Sequence, residues 1–173
     1  PHPTSYMESN KRYEKRAEDG DALAMYNIGM SYFDGDDGFE QNHQRALELW
    51  QKAGELGYAP AYNNIGAAYD REGVRVDIKK ANHYYELAAM DGNEVARNNL
   101  GCIEWQAGNM DRALKHWMLA AGLGHNGSLK QIKQLFMNGH AKKEDYDLYR
   151  PLTKDSVTAA FFGMVHNVDQ NMK

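Results

Sequence analysis

Side-chain amides recur at one position of a repeated pattern, and amides are well suited to recognition chemistry. The residues that share this position are Asn27, Asn64, Asn99 and Gln131. A primary amide supplies two donors and an acceptor, so it can hydrogen-bond the backbone of a bound peptide. The alternative is that these amides bridge neighbouring helices and contact no ligand.

Other side chains near the amides extend the candidate binding surface. They are Tyr26, Met30, Asn63, Arg71, Asn98, Trp105 and Lys130. Arg71, Arg97 and Lys130 carry the charge needed to hold an acidic group or a C-terminal carboxylate, although scattered surface cations are the commoner explanation. Trp105 would be a good anchor for a partner; otherwise it is a core residue with its register shifted by one.

Signatures of catalysis do not appear in the sequence. The seven histidines show no HExxH pair or other metal-ligand spacing. Cys102 has no neighbour in sequence that suggests activation as a nucleophile, and a quiet, partly buried thiol is expected. No glycine-rich loop between a strand and a helix offers a phosphate cradle. We therefore predict a protein that is not an enzyme, with no cofactor and no metal site.

A unit that recurs four times positions the candidate residues. Each copy begins with a glycine, at Gly20, Gly57, Gly92 and Gly124. Nine residues later, the first three copies have a second glycine, at Gly29, Gly66 and Gly101. Further on, two alanines seven residues apart enclose an aromatic residue, which is Trp50, Tyr85 or Trp117. A fixed period of roughly 20–50 residues is typical of stacked supersecondary units.

Each copy predicts a pair of helices, which we name A and B. In the first copy the A helix covers residues 21–33, with Ala24, Ile28 and Tyr32 on one face. The B helix covers about residues 42–56, and Trp50 lies on its apolar stripe. A mid-helix glycine costs about 0.8–1 kcal/mol against alanine. Its recurrence at one position of the A helix therefore indicates a close helix crossing that a side chain would obstruct.

The length of the loop between the A and B helices varies among copies. The interval from the mid-helix glycine to the first alanine of the B helix is 17, 15 and 12 residues. The other two intervals stay constant at 9 and 7 residues wherever these residues recur. Packed helices do not tolerate slippage, whereas a solvent-facing loop does.

These residues carry a family resemblance. Residues 61–69 (Ala-Tyr-Asn-Asn-Ile-Gly-Ala-Ala-Tyr), the pair Gly73-Val74 and residues 88–92 resemble Sel-one-like repeats, the longer-looped branch of the tetratricopeptide superfamily. The third copy is more similar to a plain tetratricopeptide repeat. The resemblance covers about residues 20–149 and implies an all-α, right-handed α-solenoid of antiparallel helix pairs, with A helices on the concave side. The resemblance also implies that an asparagine at the repeated position often forms hydrogen bonds with the backbone of a peptide bound in the groove. Members of such families mostly act as adaptors and scaffolds for other proteins.

The pattern predicts about four repeats between two capping segments. The repeats would cover 20–56, 57–91, 92–123 and 124–150, after an N-terminal capping helix within 1–19 and before a C-terminal amphipathic helix and tail within 151–173. Tyr13 falls in register with Trp50, which makes residues 5–18 a lone B-type helix. In the fourth copy Lys133 replaces the mid-helix glycine. The C-terminal helix is either a lid on the last repeat or a docking helix for a partner or a second copy.

Composition narrows the class of partner. The net charge of −4 over 173 residues gives no nucleic-acid footprint. No apolar run reaches the roughly 18–20 residues that span a bilayer, so membrane insertion is not expected. The single cysteine indicates an intracellular, reducing compartment, the cytoplasm or an organelle matrix.

The leading hypothesis is an adaptor that binds a protein or peptide on its concave face. The alternative is a structural subunit of a larger complex or homo-oligomer that uses its terminal helices.

Overall fold

The computed structural model of the protein describes residues 3–71 and 74–140, with side chains from residue 10 onwards. These residues contain α-helices and no β-strand. The helices are α1 (Pro3–Glu18), α2 (Ala22–Asp34), α3 (His43–Glu55), α4 (Ala59–Asp70), α5 (Ile78–Met90), α6 (Glu94–Gln106), α7 (Met110–Gly122) and α8 (Asn126–Met137).

The helices form two compact units. The first contains α1 to α5 and ends at Asp91, and the second begins at Gly92 with α6, α7 and α8. Within the units, the pairs α2–α3, α4–α5 and α6–α7 pack as hairpins of one A and one B helix. The ring of Phe33, at the end of α2, lies 4.6 Å from the ring of His43, at the start of α3, so this pair is antiparallel. The predicted all-helical hairpin architecture is confirmed.

The mid-helix glycines receive the aromatic side chains of the B helices. The pairs are Gly29 with Trp50, Gly66 with Tyr85, and Gly101 with Trp117. A Cβ atom at these glycines would lie 2.5, 2.6 and 2.5 Å from the respective ring. The Trp50 indole N–H also donates to the Tyr26 carbonyl at 3.1 Å, and the Trp117 indole N–H to the Asn98 carbonyl at 3.2 Å. The predicted close crossing is therefore confirmed, and we call each such glycine site a notch.

Glycines in the left-handed region follow the ends of the B-type helices. Gly57 has φ 89° and Gly124 has φ 108°. Past α3, the Gly57 N–H donates to the Gly54 carbonyl at 2.9 Å, and the Tyr58 N–H donates to the Ala53 carbonyl at 3.0 Å. This bonding satisfies carbonyls that the end of a helix leaves without an intrahelical donor. It also turns the chain directly into the next A helix.

In the three described hairpins, an equivalent backbone hydrogen bond joins the two ends of the A–B loop, although the loops differ in length. The residue before each B helix donates its backbone N–H to the carbonyl three residues after the mid-helix glycine. These bonds run from Asn42 to Tyr32 at 2.7 Å, from Asp77 to Tyr69 at 2.9 Å, and from Asn109 to Glu104 at 2.9 Å. We call this the loop-closing hydrogen bond. It keeps both ends of the loop at equivalent points of every hairpin.

The first helix differs in one detail from the sequence prediction. α1 packs against α2, but Tyr13 does not fill an interior slot, since it is 37% exposed. Ala17 is the residue that joins the core, in a cluster with Ala24 and Ile28. No A helix precedes α1 in the described chain, so the Tyr13 ring has no notch to enter.

The fourth copy is described only in its A helix, α8, where Lys133 is exposed. Its predicted B helix and the predicted C-terminal helix within 151–173 lie outside the described residues.

Candidate functional site

Two consecutive A helices of the first unit border a cavity of about 630 Å³. We call it the α2–α4 pocket. Its lining consists of Met30, Phe33, Asp34, Trp50, Asn64, Ala67, Ala68 and Arg71. Three of the residues predicted to bind a partner, Met30, Asn64 and Arg71, therefore come together from two different repeats.

Helical spacing explains which residues line this pocket. On α2, positions 30, 33 and 34 follow the i, i+3, i+4 rule that places side chains on one face, and on α4 positions 64, 67 and 68 do the same. Arg71 follows directly after the last residue of α4. The Trp50 indole that fills the Gly29 notch also lines the pocket, and the Phe33 ring lies 5.2 Å from it. Two alanines on α4 leave space opposite these rings. The notch thus supplies part of the apolar wall.

The amide of Asn64 is only weakly engaged within the protein. Its Nδ2 donates to the Met30 Sδ at 3.0 Å, and a thioether is a weak acceptor. Its Oδ1 accepts no hydrogen bond from the described residues. A peptide carbonyl would therefore be a better partner for Nδ2 than the sulfur, and a peptide N–H would satisfy Oδ1.

Arg71 places a cation at one end of the α2–α4 pocket. Its side chain is 68% exposed, and its Nε lies 3.6 Å from the Asp70 Oδ2. The same carboxylate oxygen accepts from the Tyr85 hydroxyl at 3.3 Å. Because the ion pair is long and exposed, it contributes little to stability, and the guanidinium can bind an anion.

A second pocket, of about 560 Å³, lies beside the first and shares Met30 and Asp34 with it. We call it the α1–α2 pocket. Its lining consists of Asn10, Tyr13, Tyr26, Asn27, Ile28, Met30, Ser31, Asp34, Asp36, Asp37 and Phe39. The predicted residues Tyr26 and Asn27 thus lie here, and the Asn27 amide has no hydrogen-bond partner in the described part of the chain.

The aspartates of the α1–α2 pocket were not among the residues predicted to bind a partner. The available signal was the first A–B loop, which is the longest of the three and contains Asp36 and Asp37. Asn63, which was predicted, is partly buried on α4 and lines neither pocket.

In the second unit the predicted asparagines are buried. Asn98 and Asn99 on α6 are 9% and 8% exposed. The Ser128 hydroxyl, on α8, donates to the Asn98 Oδ1 at 2.9 Å, and the Asn98 Nδ2 donates weakly to the Cys102 Sγ at 3.9 Å. The Asn98 amide therefore links α6 to α8.

The remaining predicted residues of the second unit are more exposed. Trp105 is 49% exposed, so it is not a core residue. Its neighbour Glu104 takes the position of Tyr32 and Tyr69 and pairs with the Arg112 guanidinium at 2.8 Å. Lys130 is exposed on α8, and Gln131 beside it is partly buried, with an Oε1 that accepts no hydrogen bond from the described residues.

Burial shifts the pKa of several titratable groups in the described chain. Burial lowers the pKa of His116 on α7, and the charge of Arg97 acts in the same direction. Burial likewise raises the pKa of Tyr62 and of Tyr84. Among the described residues, no group of three or more His, Cys, Asp or Glu side chains is placed to hold a metal ion.

Antiparallel hairpins with a notched A helix and an aromatic B helix define a helical-repeat protein. Residues 22–58 and 59–93 match the model of the Sel1 repeat, and the chain thus contains two Sel1 repeats. It is similar to a protective antigen of uropathogenic Escherichia coli strains that displays an SLR fold, with 29% identity and a TM-score of 0.68 over 75% of this chain and 29% of that one. A Sel1 repeat protein from Oxalobacter formigenes shares the fold, with 20% identity and a TM-score of 0.72 over 94% of this chain and 64% of the other.

Curated relatives are much longer than this chain. The ERAD-associated E3 ubiquitin-protein ligase component HRD3B of Arabidopsis thaliana is 30% identical over 106 residues, which are 60% of this chain and 16% of that protein. The DAP3-binding cell death enhancer 1 of Rattus norvegicus is 30% identical over 101 residues, 56% of this chain and 20% of that protein. The chain therefore spans a fifth or less of these relatives. None of the described helices has the length and apolarity to cross a membrane.

Proposed function

We propose that the chain is a non-catalytic binding module for a protein or peptide segment, with the α2–α4 pocket at the centre of the site. The observation that carries the proposal is the meeting of Met30, Asn64 and Arg71 around one cavity. Two of these residues come from the second Sel1 repeat and one from the first, so the site depends on the stacking of repeats.

The pocket offers complementary contacts to an extended segment. An apolar side chain of the partner packs against Met30, Phe33 and Trp50, which surround the space left by the alanines of α4. The partner's backbone exchanges hydrogen bonds with the Asn64 amide, replacing the weak bond to sulfur. Arg71 adds a charge-assisted contact at the edge. No covalent bond is made or broken when the segment binds.

The relatives support a binding role. One is named as a component of a ubiquitin-ligase assembly and another as a DAP3-binding protein. In the second unit, Asn98 and Asn99 are committed to the interior, so we leave them outside the proposed site. The use of Asn63, Trp105, Lys130 and Gln131 in binding stays a prediction. The alternative role as a structural subunit depends partly on residues 151–173 and also stays a prediction.

Selection from a random linear peptide library on the whole chain tests the proposal. The selected peptides, labelled with fluorescein, are titrated against the protein and against the Asn64→Ala and Met30→Ala variants. We expect each variant to weaken binding roughly tenfold or more, the effect typical of a residue at the centre of an interface.

Matched controls come from residues away from both pockets. Asn109→Ala removes an exposed asparagine, and Arg45→Ala removes an exposed arginine that pairs with Glu48. Both should leave binding unchanged, and circular dichroism should show native helicity in every variant. Peptides that bind all variants equally would show that the site lies elsewhere.

A further inference from the structure

We infer that the site selects a peptide segment with a fixed order of charge: a basic side chain in the α1–α2 pocket, an apolar side chain in the α2–α4 pocket, and an acidic group at Arg71. This inference rests on the proposed function of the α2–α4 pocket. It adds the neighbouring pocket to the site and specifies the chemistry of the occupant.

The α1–α2 pocket is acidic and contains no cation of its own. Asp34, Asp36 and Asp37 line it, and no lysine, arginine or histidine does. In the described part of the chain none of these three aspartates forms an ion pair. Three carboxylates around one cavity create a local negative potential that favours a positively charged group.

Asp36 and Asp37 belong to the longest A–B loop, whereas Asp34 is the last residue of α2, and we call these three aspartates the acidic wall. The Ser31 hydroxyl on α2 donates to the Asp37 Oδ2 at 3.4 Å, and the Asn10 side chain of α1 donates to the Asp37 carbonyl. The Phe39 N–H donates to the Asp36 carbonyl at 2.9 Å. The bonds from Ser31 and Asn10 tie the loop to both helices, where the exposed Asp36 and Asp37 line the pocket.

The chemistry of the pocket fits a long cationic side chain better than a metal ion. The aspartates do not form a metal-binding group. The cavity of about 560 Å³ is also lined by the aromatic rings of Tyr13, Tyr26 and Phe39. Lysine and arginine have apolar stems that pack on such surfaces and charged ends that pair with carboxylates or aromatic faces.

The two pockets adjoin at α2, and this arrangement sets the order of charges in the inferred ligand. Both include Met30 and Asp34, so a segment that crosses α2 at these residues reaches both cavities. Asp34 and Arg71 occupy the same position of successive repeats, since each stands seven residues after the repeated asparagine. The site is therefore acidic beside α2 and basic at the end of α4, and its ligand carries the complementary pattern.

The library-selected peptides test this order of charges. We expect them to contain lysine or arginine on one side of an apolar residue and aspartate or glutamate on the other. A selected peptide and its charge-reversed counterpart are then titrated against a variant that neutralises the acidic wall, Asp34→Asn/Asp36→Asn/Asp37→Asn. The matched control, Asp19→Asn/Glu86→Gln/Asp91→Asn, removes three exposed carboxylates of the first unit outside both pockets.

The acidic-wall variant should weaken the selected peptide about tenfold or more and reduce the salt dependence of its binding, because charge-assisted bonds are lost. The control should change affinity less than about threefold, since distant surface charges are screened. In addition, Arg71→Glu should change the selected residue at that end from acidic to basic. A change of preference cannot arise from partial unfolding.

The outcomes separate this inference from the proposed function. Peptides that need Asn64 but bind the acidic-wall variant and its control equally would overturn the order of charges and leave the binding role intact. Peptides indifferent to Asn64 and to the wall would overturn both. Self-association that disappears in the acidic-wall variant, measured by sedimentation without peptide, would identify a second copy as the occupant and overturn the inference.

Discussion

Replacing Gly29 with alanine should destabilise the first unit, although the same change favours an isolated helix. The new Cβ atom would lie 2.5 Å from the Trp50 Nε1 and 2.6 Å from its Cδ1. Carbon atoms in normal contact are about 3.5–4.0 Å apart, so the indole or the helix must move by about 1 Å. A rigid ring that is only 2% exposed has little space for such a shift.

The net effect follows from three contributions. Alanine gains about 0.8–1 kcal/mol in helix propensity over glycine. Overpacking of a close-packed interior costs about 1–3 kcal/mol. Displacement of the ring also breaks the Trp50 hydrogen bond to the Tyr26 carbonyl, which is 3.1 Å long, at a cost of about 0.5–1.5 kcal/mol. We therefore expect a net loss of about 2 kcal/mol from the free energy of unfolding.

Urea unfolding followed by circular dichroism measures this loss. A lower midpoint with an unchanged slope is the expected result. The control is the same substitution in a Trp50→Leu background, where the clash is absent. There Gly29→Ala should be neutral or stabilise by up to about 1 kcal/mol, the propensity gain alone. A Gly29→Ala single variant that is as stable as the parent would refute the notch, and equal losses in both backgrounds would refute the role of the indole.

Three further predictions concern the second unit. Asn93 caps α6 by accepting a hydrogen bond from the Ala96 N–H at 2.8 Å, whereas Asn109 makes no such bond to α7. Asn93→Ala should therefore lower the free energy of unfolding by about 1 kcal/mol in urea titrations, and Asn109→Ala should lower it clearly less. Ser128→Ala should cost about 1–3 kcal/mol in urea unfolding because the buried Asn98 oxygen loses its donor. Ser128→Thr keeps the hydroxyl and should recover part of this loss. Burial lowers the pKa of His116 below its ordinary 6.5, so the unfolded chain takes up more protons as the pH falls below about 6.5 and stability decreases. Urea midpoints at acidic and neutral pH should differ less in His116→Gln, and an unchanged pH dependence would contradict this assignment.

Local patterns were sufficient to predict the architecture. The repeated mid-helix glycines predicted the notches, because a close crossing leaves no space for a side chain at that position. Loop insertions were located by the constancy of all other intervals. The resemblance to Sel-one-like repeats was confirmed for residues 22–58 and 59–93.

The position of a residue in the repeat did not determine what its side chain contacts. Tyr26 and Asn98 stand at the same position of their repeats and were both placed on the candidate surface, yet Tyr26 lines a pocket and Asn98 is buried. The difference depends on Ser128, a residue of another copy whose hydroxyl meets Asn98. Likewise, the acidic wall depends on how one loop folds against α1 and α2. The repeat pattern of the sequence contains no information on the conformation of this loop. Such contacts arise from tertiary packing between non-equivalent residues, so the repeat pattern alone cannot predict them.

Because the loop-closing hydrogen bond fixes both ends of an A–B loop, the residues within the loop can differ without a change in the geometry of the hairpin. Asp34, Asp36 and Asp37 all lie between Tyr32 and Asn42, the anchors of the first such bond. Doubling the length of a flexible loop costs only about 0.6 kcal/mol. Exchange of one A–B loop for another could consequently change the ligand preference, while the helices of the hairpin keep their register.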